Sequence, residues 1–150
     1  MTKQKAKGLK FSIADDGNAT AEGCGKNATG ALVIPADFEG HPVTSIGNFA
    51  FCGCNGLKSV TIPDSVTSIG VQAFEGCSGL KSVTIPGSVT SIGDGAFRFC
   101  SGLKSVTIPD SVTSIGQQAF YDCSGLRSVI IPQSVKLGRN AFPKGVVTRK

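Results

Sequence analysis

Cysteine is the residue type in this chain whose chemistry and spacing stand out first. The 150 residues include six cysteines and a single histidine. Thiolates and imidazoles hold transition metals, but a structural site needs about four such ligands around one ion. The Cys52-x-Cys54 pair has no second pair and no histidine cluster to complete a site, and His41 is expected to lie in a loop. We therefore expect no metal site and no cofactor.

Packing is the other use of cysteine, and four of the six recur at a fixed interval of 23 residues. These four are Cys54, Cys77, Cys100 and Cys123. A residue that returns with a repeat meets the same environment in every copy. We expect reduced, buried thiols there, because parallel side-chain vectors on stacked units are poor geometry for a disulfide. Cys24 and Cys52 lie outside this series.

Catalytic chemistry has little support in the sequence. No histidine is paired with a nucleophile, no carboxylates pair in a repeated context, and no phosphate-cradling glycine motif precedes a helix. The glycines recur instead as turn residues. We predict that the protein is not an enzyme.

The elements that must position these residues come from a 23-residue unit repeated almost verbatim. The unit 57–79 is identical to 103–125 at 20 of 23 positions and to 80–102 at 18 of 23. In L-x-x-V-x-I-P the apolar residues alternate with polar ones, which indicates a strand that the proline ends. S-V-T-S-I-G predicts a second short strand and a turn. In x-x-A-F-x-x-C, Ala73 and Cys77 are four residues apart, which predicts a short helical turn.

Units that cannot bury their apolar side alone stack into a solenoid. We expect one repeat domain over residues 29–147. Its repeats are 29–56, 57–79, 80–102, 103–125 and a partial 126–147. Residues 9–28 are typical of an N-terminal capping hairpin, because turn residues separate two short alternating segments. Residues 1–8 are expected to be a flexible basic tail.

The repeat resembles the BspA-type leucine-rich repeats, also called Treponema pallidum-type repeats. The pattern L-x-x-V-x-I-P-x-S-V-T-S-I-G-x-x-A-F-x-x-C-x-x covers about residues 29–142, and residues 40–47 resemble the G-x-P-V-T-S-I-G segment that often opens such arrays. The resemblance implies a leucine-rich-repeat solenoid, α/β or mainly β: a short, right-handed, curved array with the strand ladder on its concave side. It also implies surface attachment, host-protein binding and cell–cell contact, at the cell surface or after secretion. The chain shows no secretory signal, so the cytoplasm is the alternative location.

Outward-facing strand positions are the first candidate for partner binding, and they form three ranks. The basic rank is Lys58, Lys81, Lys104 and Arg127; the serine rank is Ser59, Ser82 and Ser105; the threonine rank is Thr61, Thr84 and Thr107. Stacked strands lie about 4.8 Å apart, so the like charges repel one another unless they meet an anion. As a binding face, the ranks would suit an acidic partner or an anionic glycan. The alternative is a uniform soluble surface whose lysines prevent edge association.

Positions that differ between the repeats are the second candidate, on the turn side of each unit. Three exposed aromatic residues are expected there, Phe49, Phe99 and Tyr121, with Arg98 beside them. Aromatic residues and arginine are typical of binding hot spots. The alternative is unconstrained surface variation.

The end of the array is a candidate for self-association. Leu126, Val129, Ile131 and Phe142 line the last repeat, and no C-terminal cap is apparent to cover them. An open end of this kind invites end-to-end association into a homo-oligomer.

These observations narrow the function classes. The net charge is +5, but no aromatic or glycine-rich RNA motif accompanies the basic N-terminus, so no nucleic-acid partner is expected. No apolar run approaches the roughly 20 residues of a membrane span, so no membrane insertion is expected. The leading hypothesis is an interaction or adhesion scaffold for a protein or extracellular-matrix partner. The alternative is a structural, self-assembling module. A third hypothesis is that the regular Ser-x-Thr ranks bind and order ice-like water. The charges of the basic rank argue against it.

Overall fold

The computed structural model of the chain describes residues 8–25 and 28–150. Over these residues the chain forms a β-solenoid of about five turns, built from short strands. The leucine-rich-repeat solenoid predicted from the sequence is confirmed. The tail predicted for residues 1–8 lies outside the described residues, apart from Gly8.

The L-x-x-V-x-I segments form the first sheet. Four parallel strands pair in the order β10-β8-β6-β3. They are β3 (Gly30–Val33), β6 (Leu57–Thr61), β8 (Ser82–Thr84) and β10 (Ser105–Thr107). The next copy, β12 (Val129–Ile131), pairs in parallel with β14 (Val147–Arg149). Pairing places equivalent repeat positions side by side, as Ser59, Ser82 and Ser105 are. Every inward Leu, Val and Ile therefore stacks on its own copy.

The S-V-T-S-I-G segments form the second sheet, which begins with the N-terminal hairpin. Its strands pair in the order β1-β2-β5-β7-β9-β11-β13, and β4 (Asp37–Phe38) pairs antiparallel with β5. They are β1 (Lys10–Ile13), β2 (Ala19–Gly23), β5 (His41–Ile46), β7 (Ser68–Ile69), β9 (Ser91–Ile92), β11 (Ser114–Ile115) and β13 (Lys136–Leu137). The second short strand predicted in each repeat is thus present.

The x-x-A-F-x-x-C segments are not helical, and the helical turn predicted there is wrong. The Ala73 N–H donates to the Gly70 carbonyl within its own turn (3.3 Å). The next N–H, that of Phe74, donates instead to the Ala96 carbonyl of the following turn (2.7 Å). A left-handed φ of 53° at Gln72 breaks the helical path. Alternate N–H groups in these segments therefore donate to carbonyls of the neighbouring turn. Among the described residues, no helix is long and apolar enough to cross a membrane.

Phenylalanine side chains form a continuous stack along the solenoid. Neighbouring ring centroids are 4.8 to 5.2 Å apart, with nearly parallel planes. The stack consists of Phe51, Phe74, Phe97, Phe120 and Phe142. The first four rings are fully buried, and Phe142, at the end, is half-buried. Each inner ring packs between two copies of itself, so the turns hold one another in register.

The cysteines of the later turns line the core beside this stack. Cys77, Cys100 and Cys123 are fully buried. Each thiol donates to the carbonyl of a phenylalanine 26 residues earlier, at 3.1 to 3.2 Å. Burial raises the pKa of the Cys77 thiol to about 12. The packing role predicted for these three is confirmed, whereas Cys54, in the first turn, is only half-buried.

The N-terminal hairpin of β1 and β2 extends the second sheet by two strands. Strand β2 pairs in parallel with β5 and places the buried side chains of Ala19 and Ala21 against the first turn. The Nδ1 atom of His41 lies 2.8 Å from the Gly17 carbonyl oxygen and ties the hairpin turn to β5. The hairpin therefore covers the start of the second sheet, while β3 remains an edge of the first.

The C-terminal end is more fully covered than the sequence indicated. Leu126, Val129 and Ile131 are buried, because β14 lies along β12. Of the predicted self-association residues, only Phe142 is half exposed. Nη1 of Arg149 donates to three backbone carbonyls just after β12 and holds the added strand in place. The expectation that little covers these residues is wrong, because β14 pairs with the last repeat. The sequence did not indicate this strand, since β14 lacks the repeat consensus.

Candidate partner-binding site

The outward positions of the first sheet form the strand face. The Lys81 N–H donates to the Lys58 carbonyl at 2.9 Å, and the Lys104 N–H donates to the Lys81 carbonyl at 3.1 Å. Lys58 lies within β6, whereas Lys81 and Lys104 come one residue before β8 and β10. Side chains of the basic rank therefore leave neighbouring turns at matching positions. All four are exposed, with Arg127 one turn beyond Lys104. The structure brings this rank together on one surface.

The charges of the basic rank are not neutralised within the described part of the chain. The two ion pairs found there involve other residues, and none of the four cations belongs to either. Two like charges about 4.8 Å apart repel by roughly 0.9 kcal/mol in water. An acidic group bound across the rank would relieve this repulsion.

Hydroxyl side chains occupy the rest of the strand face. Ser82 and Ser105 are exposed and Ser59 is half-buried, while the threonine rank is exposed throughout. Ile130, which is 57% exposed, stands where the next threonine would be and pairs in register with Thr148. Recognition on this face would therefore rest on charge and hydrogen bonding, with one apolar side chain at its end.

The turn face carries three neighbouring side chains, which we call the aromatic cluster: Arg98 and Tyr121, each in contact with Phe99. The guanidinium carbon of Arg98 lies 5.1 Å from the Phe99 ring centroid. The rings of Phe99 and Tyr121 meet edge to face, with centroids 6.0 Å apart. Phe99 is 41% exposed and Tyr121 is 40% exposed. Two exposed rings and a half-buried guanidinium thus stand together at the surface.

Polar partners from the adjacent turns hold Arg98 in place. Its Nε donates to Oε2 of Glu75 at 2.6 Å, and its Nη1 donates to Oε1 of Gln118 at 2.8 Å. Burial raises the pKa of the Glu75 carboxyl, but the hydrogen bonds from Gln72 and Arg98 together lower this pKa by a larger amount. The net shift of the Glu75 pKa is therefore downward. A charged carboxylate on one side and an amide on the other orient the guanidinium for its contact with Phe99.

Phe99 is one of several non-glycine residues on the turn face with a strained backbone. Its φ is 65°, in the left-handed region that bulky side chains rarely adopt. Gly53 and Gly76 occupy the equivalent positions in the two preceding turns, also with positive φ. A side chain costs about 1–2 kcal/mol more than glycine in this conformation. A large aromatic side chain therefore stands exposed at a position where glycine would be less strained.

A groove of about 470 Å³ begins beside Tyr121. Its walls include Asp122, Asn140, Phe142 and Lys144. The floor is partly apolar, because the exposed edge of Phe142 ends the phenylalanine stack there. A smaller cavity of about 180 Å³ is lined in part by Arg98. Two members of the aromatic cluster, Arg98 and Tyr121, thus each border a depression that a partner's side chain can enter.

Phe49 is exposed on the turn face but stands apart from the aromatic cluster. It is 55% exposed, with a left-handed φ of 59°, and lies two turns before Phe99. The structure therefore joins three of the four predicted turn-face residues and leaves the fourth separate. Among the described residues, no group of three or more metal-ligating side chains lies together.

The sequence analysis missed two features of the turn face. One is the salt bridge between Glu75 and Arg98, which orients Arg98, and the other is the groove beside Tyr121. A signal for the bridge was present, because Glu75 and Arg98 are opposite charges at the same repeat position in neighbouring turns. The groove had no such signal, since it arises where Pro143 and Lys144 depart from the repeat path.

The comparisons with known proteins agree with this architecture. The sequence model of the BspA-type leucine-rich repeat region matches residues 34–145, with six copies. A solved leucine-rich repeat protein of T. pallidum is 34% identical, over 90% of this chain and 64% of that one, with a TM-score of 0.85. This chain therefore spans less than two thirds of that relative. No curated protein sequence matches.

Two further solved structures come from other bacteria. A leucine-rich repeat protein from Bacteroides capillosus ATCC 29799 is 36% identical, over 83% of this chain and 94% of that one, with a TM-score of 0.73. A leucine-rich cell surface protein from Faecalibacterium prausnitzii A2-165 is 31% identical, over 95% of this chain and 53% of that one, with a TM-score of 0.53.

Proposed function

Because the chain belongs to the BspA-type leucine-rich repeat family, we propose that it is a non-catalytic scaffold that binds a protein or extracellular-matrix partner. The aromatic cluster carries this proposal. Arg98 and Tyr121 pack against Phe99 at the surface, Arg98 and Tyr121 each border a depression, and a strained backbone presents Phe99. Exposed aromatic and arginine side chains dominate the energetics of protein interfaces.

Orientation of Arg98 supports a binding role for the cluster. The salt bridge to Glu75 and the hydrogen bond to Gln118 fix the side chain before a partner arrives. An immobilised side chain loses less conformational entropy on binding, by about 0.5–1.5 kcal/mol. The cluster is thus pre-organised for recognition.

The basic rank supports a second contribution to partner binding, the electrostatic attraction of an acidic partner. Its four exposed cations attract anionic surfaces and accelerate association, an effect that added salt weakens. Binding through the aromatic cluster depends less on salt, since apolar contact and cation–π interactions dominate there. The salt dependence of affinity therefore separates the two faces.

We place the protein at the cell surface or outside the cell. The F. prausnitzii relative is described as a cell surface protein, and an exposed interaction surface suits that location. Protease shaving of intact cells that express the native gene tests this: loss of the protein without lysis is expected, and full protection would contradict it.

The proposal is tested on a panel of immobilised matrix proteins and glycans, with saturable binding as the readout. Replacing Phe99 and Tyr121 together by alanine should weaken binding about 30-fold or more, since a hot-spot side chain contributes about 2 kcal/mol or more. Ile13→Ala is the matched control, because Ile13 is 45% exposed on the capping hairpin, away from the cluster. Equal loss in both variants, or no saturable binding to any panel member, would contradict the proposal.

End-to-end self-association is the second candidate function, and the sheet edges favour it. Strands β3 and β14 are terminal strands at opposite ends of the L-x-x-V-x-I array, and within residues 8–25 and 28–150 each pairs on one side only. Unpaired edges recruit strands from other chains. Light scattering across a wide concentration range tests it: growth of head-to-tail oligomers is expected, and a constant monomer mass would contradict it.

A further inference from the structure

The first cysteine of the repeat series has a different partner from the later ones. Cys77, Cys100 and Cys123 donate to a phenylalanine carbonyl of an earlier turn. For Cys54, in the first turn, the sulfur atom instead lies 3.7 Å from the sulfur of Cys24. Cys24 directly follows β2 of the capping hairpin, and Cys54 lies in the repeat array. Both are half-buried, and both are reduced in this structure.

We propose that Cys24 and Cys54 are a modification site, at which a small-molecule disulfide oxidises the two thiols to an intramolecular disulfide bond. The sulfur atoms are in contact and need to approach by about 1.7 Å to reach the bonded distance of about 2.05 Å. Gly23 and Gly25 flank Cys24, and glycine allows the local backbone to adjust. Half-burial leaves a path for a small oxidant.

The reaction balances as two thiol–disulfide exchanges. The Cys24 thiolate attacks one sulfur of the oxidant, RS–SR, breaking its S–S bond; RS⁻ leaves and takes up a proton. The Cys54 thiol then loses its proton to solvent, and its thiolate attacks the Cys24 sulfur of the mixed disulfide, expelling the second RS⁻. The protein loses two protons and two electrons, and one RS–SR becomes two RSH.

The environment of Cys54 supports this order of attack. Burial, followed by the charge and hydrogen bond of Cys24, raises the pKa of Cys54 to about 12. Cys54 is therefore a poor first nucleophile. Once Cys24 is part of a mixed disulfide its charge is gone, and Cys54 faces an electrophilic sulfur in contact with its own.

The bond would join the capping hairpin covalently to the first turn. Solenoids lose structure from their ends, because an end unit has a neighbour on one side only. A link between Cys24 and Cys54 keeps the hairpin on the array even when β2 and β5 separate. Such bonds persist in oxidising compartments and are reduced in the cytosol, so the site responds to the surroundings of the protein. This proposal does not depend on the identity of the partner.

The experiment uses the full chain with Cys52→Ser, since Cys52 is exposed and would itself take up the oxidant. The protein is treated with excess oxidised glutathione in mildly alkaline buffer, unfolded in acid, alkylated and weighed by mass spectrometry. We expect three alkylated thiols instead of five, no bound glutathione, and a linked peptide pair that contains Cys24 and Cys54. The thermal midpoint should rise by about 10 °C relative to the reduced protein.

The matched control adds Cys24→Ser to the same background. All four remaining thiols should then be alkylated, and glutathione should not raise the thermal midpoint. Peptide mapping in the Cys52→Ser protein alone tests the proposal even if the double variant folds poorly. Five alkylated thiols after oxidation, a persistent glutathione adduct on Cys24, or a link between other cysteines would overturn it.

Discussion

Replacing Phe97 by alanine should remove the middle ring of the phenylalanine stack and destabilise the protein strongly. The ring is fully buried, with stacked neighbours 5.1 Å away on both faces. Loss of a buried phenylalanine ring costs about 3–5 kcal/mol, and each stacked aromatic pair adds about 0.5–1.5 kcal/mol. We expect a loss at the upper end, about 5 kcal/mol. Phe97→Leu, which keeps most of the volume, should lose less than half as much.

Two further alanine variants calibrate this loss. Phe142 ends the stack, is half-buried and has one stacked neighbour, 4.8 Å away, so Phe142→Ala should cost about 2 kcal/mol. Phe99 is two residues from Phe97 but faces solvent. Phe99→Ala should cost less than about 0.5 kcal/mol, as surface substitutions do.

Urea unfolding followed by circular dichroism measures the series. With a slope of about 2 kcal/mol per molar urea, the midpoint for Phe97→Ala should fall by roughly 2.5 M. The transition should also broaden, because the break separates the turns before it from those after it. Equal midpoints for Phe97→Ala and Phe99→Ala would refute the reasoning, since they would show that the stack does not hold the turns together.

Three further predictions concern the close approach of turns, the buried thiols and the basic rank. Gly93→Ala should cost about 3 kcal/mol in urea unfolding, because its Cβ would stand 2.7 Å from the Gly70 carbonyl carbon, whereas Gly87→Ala, with open space around it, should not destabilise; equal midpoints would contradict this. The thiols of Cys77 and Cys123 have their pKa raised by burial from 9.0 to about 12, so their stabilisation is complete below pH 9 and is lost towards pH 12, by about 1.4 kcal/mol per unit for each thiol; a urea midpoint unchanged over this range would refute it. Replacing the basic rank by alanine should slow association with an acidic partner and remove its salt dependence without lowering the thermal midpoint; surface plasmon resonance measures the rates, and an unchanged salt dependence would exclude the strand face.

The period of the sequence was sufficient to predict the strands and the core. Val60 and Ile62 alternate with Thr61 in a way that only a strand explains, and the 23-residue interval requires each residue to stack on its copy. The helical turn was wrong for a physical reason. The spacing of Ala73 and Cys77 fits a helical face, but bonds to the neighbouring turn compete for the same N–H groups, and residue type does not reveal the left-handed φ that results.

The two ends of the array were harder to predict than its middle. Val147 to Arg149 carries no leucine and no Ile-Pro, so nothing marked it as the strand that covers the last repeat. The contact of Cys24 with Cys54 was likewise invisible, since it joins a residue outside the period to one within it. Within the turn face, equivalent positions in adjacent repeats predict contact, as for Glu75 and Arg98, because stacking converts a sequence interval into a spatial neighbour.

The central claim is that a partner binds this solenoid at the aromatic cluster on its turn face. The most direct test is an NMR titration, in which a partner from the binding panel is added to the isotope-labelled chain and the amide chemical shifts are followed. The chain, at 15.3 kDa, is small enough for this measurement. We expect shifts to concentrate at Arg98, Phe99 and Tyr121 and in the groove beside Tyr121. Shifts confined to the strand face, or spread evenly over the array, would contradict it.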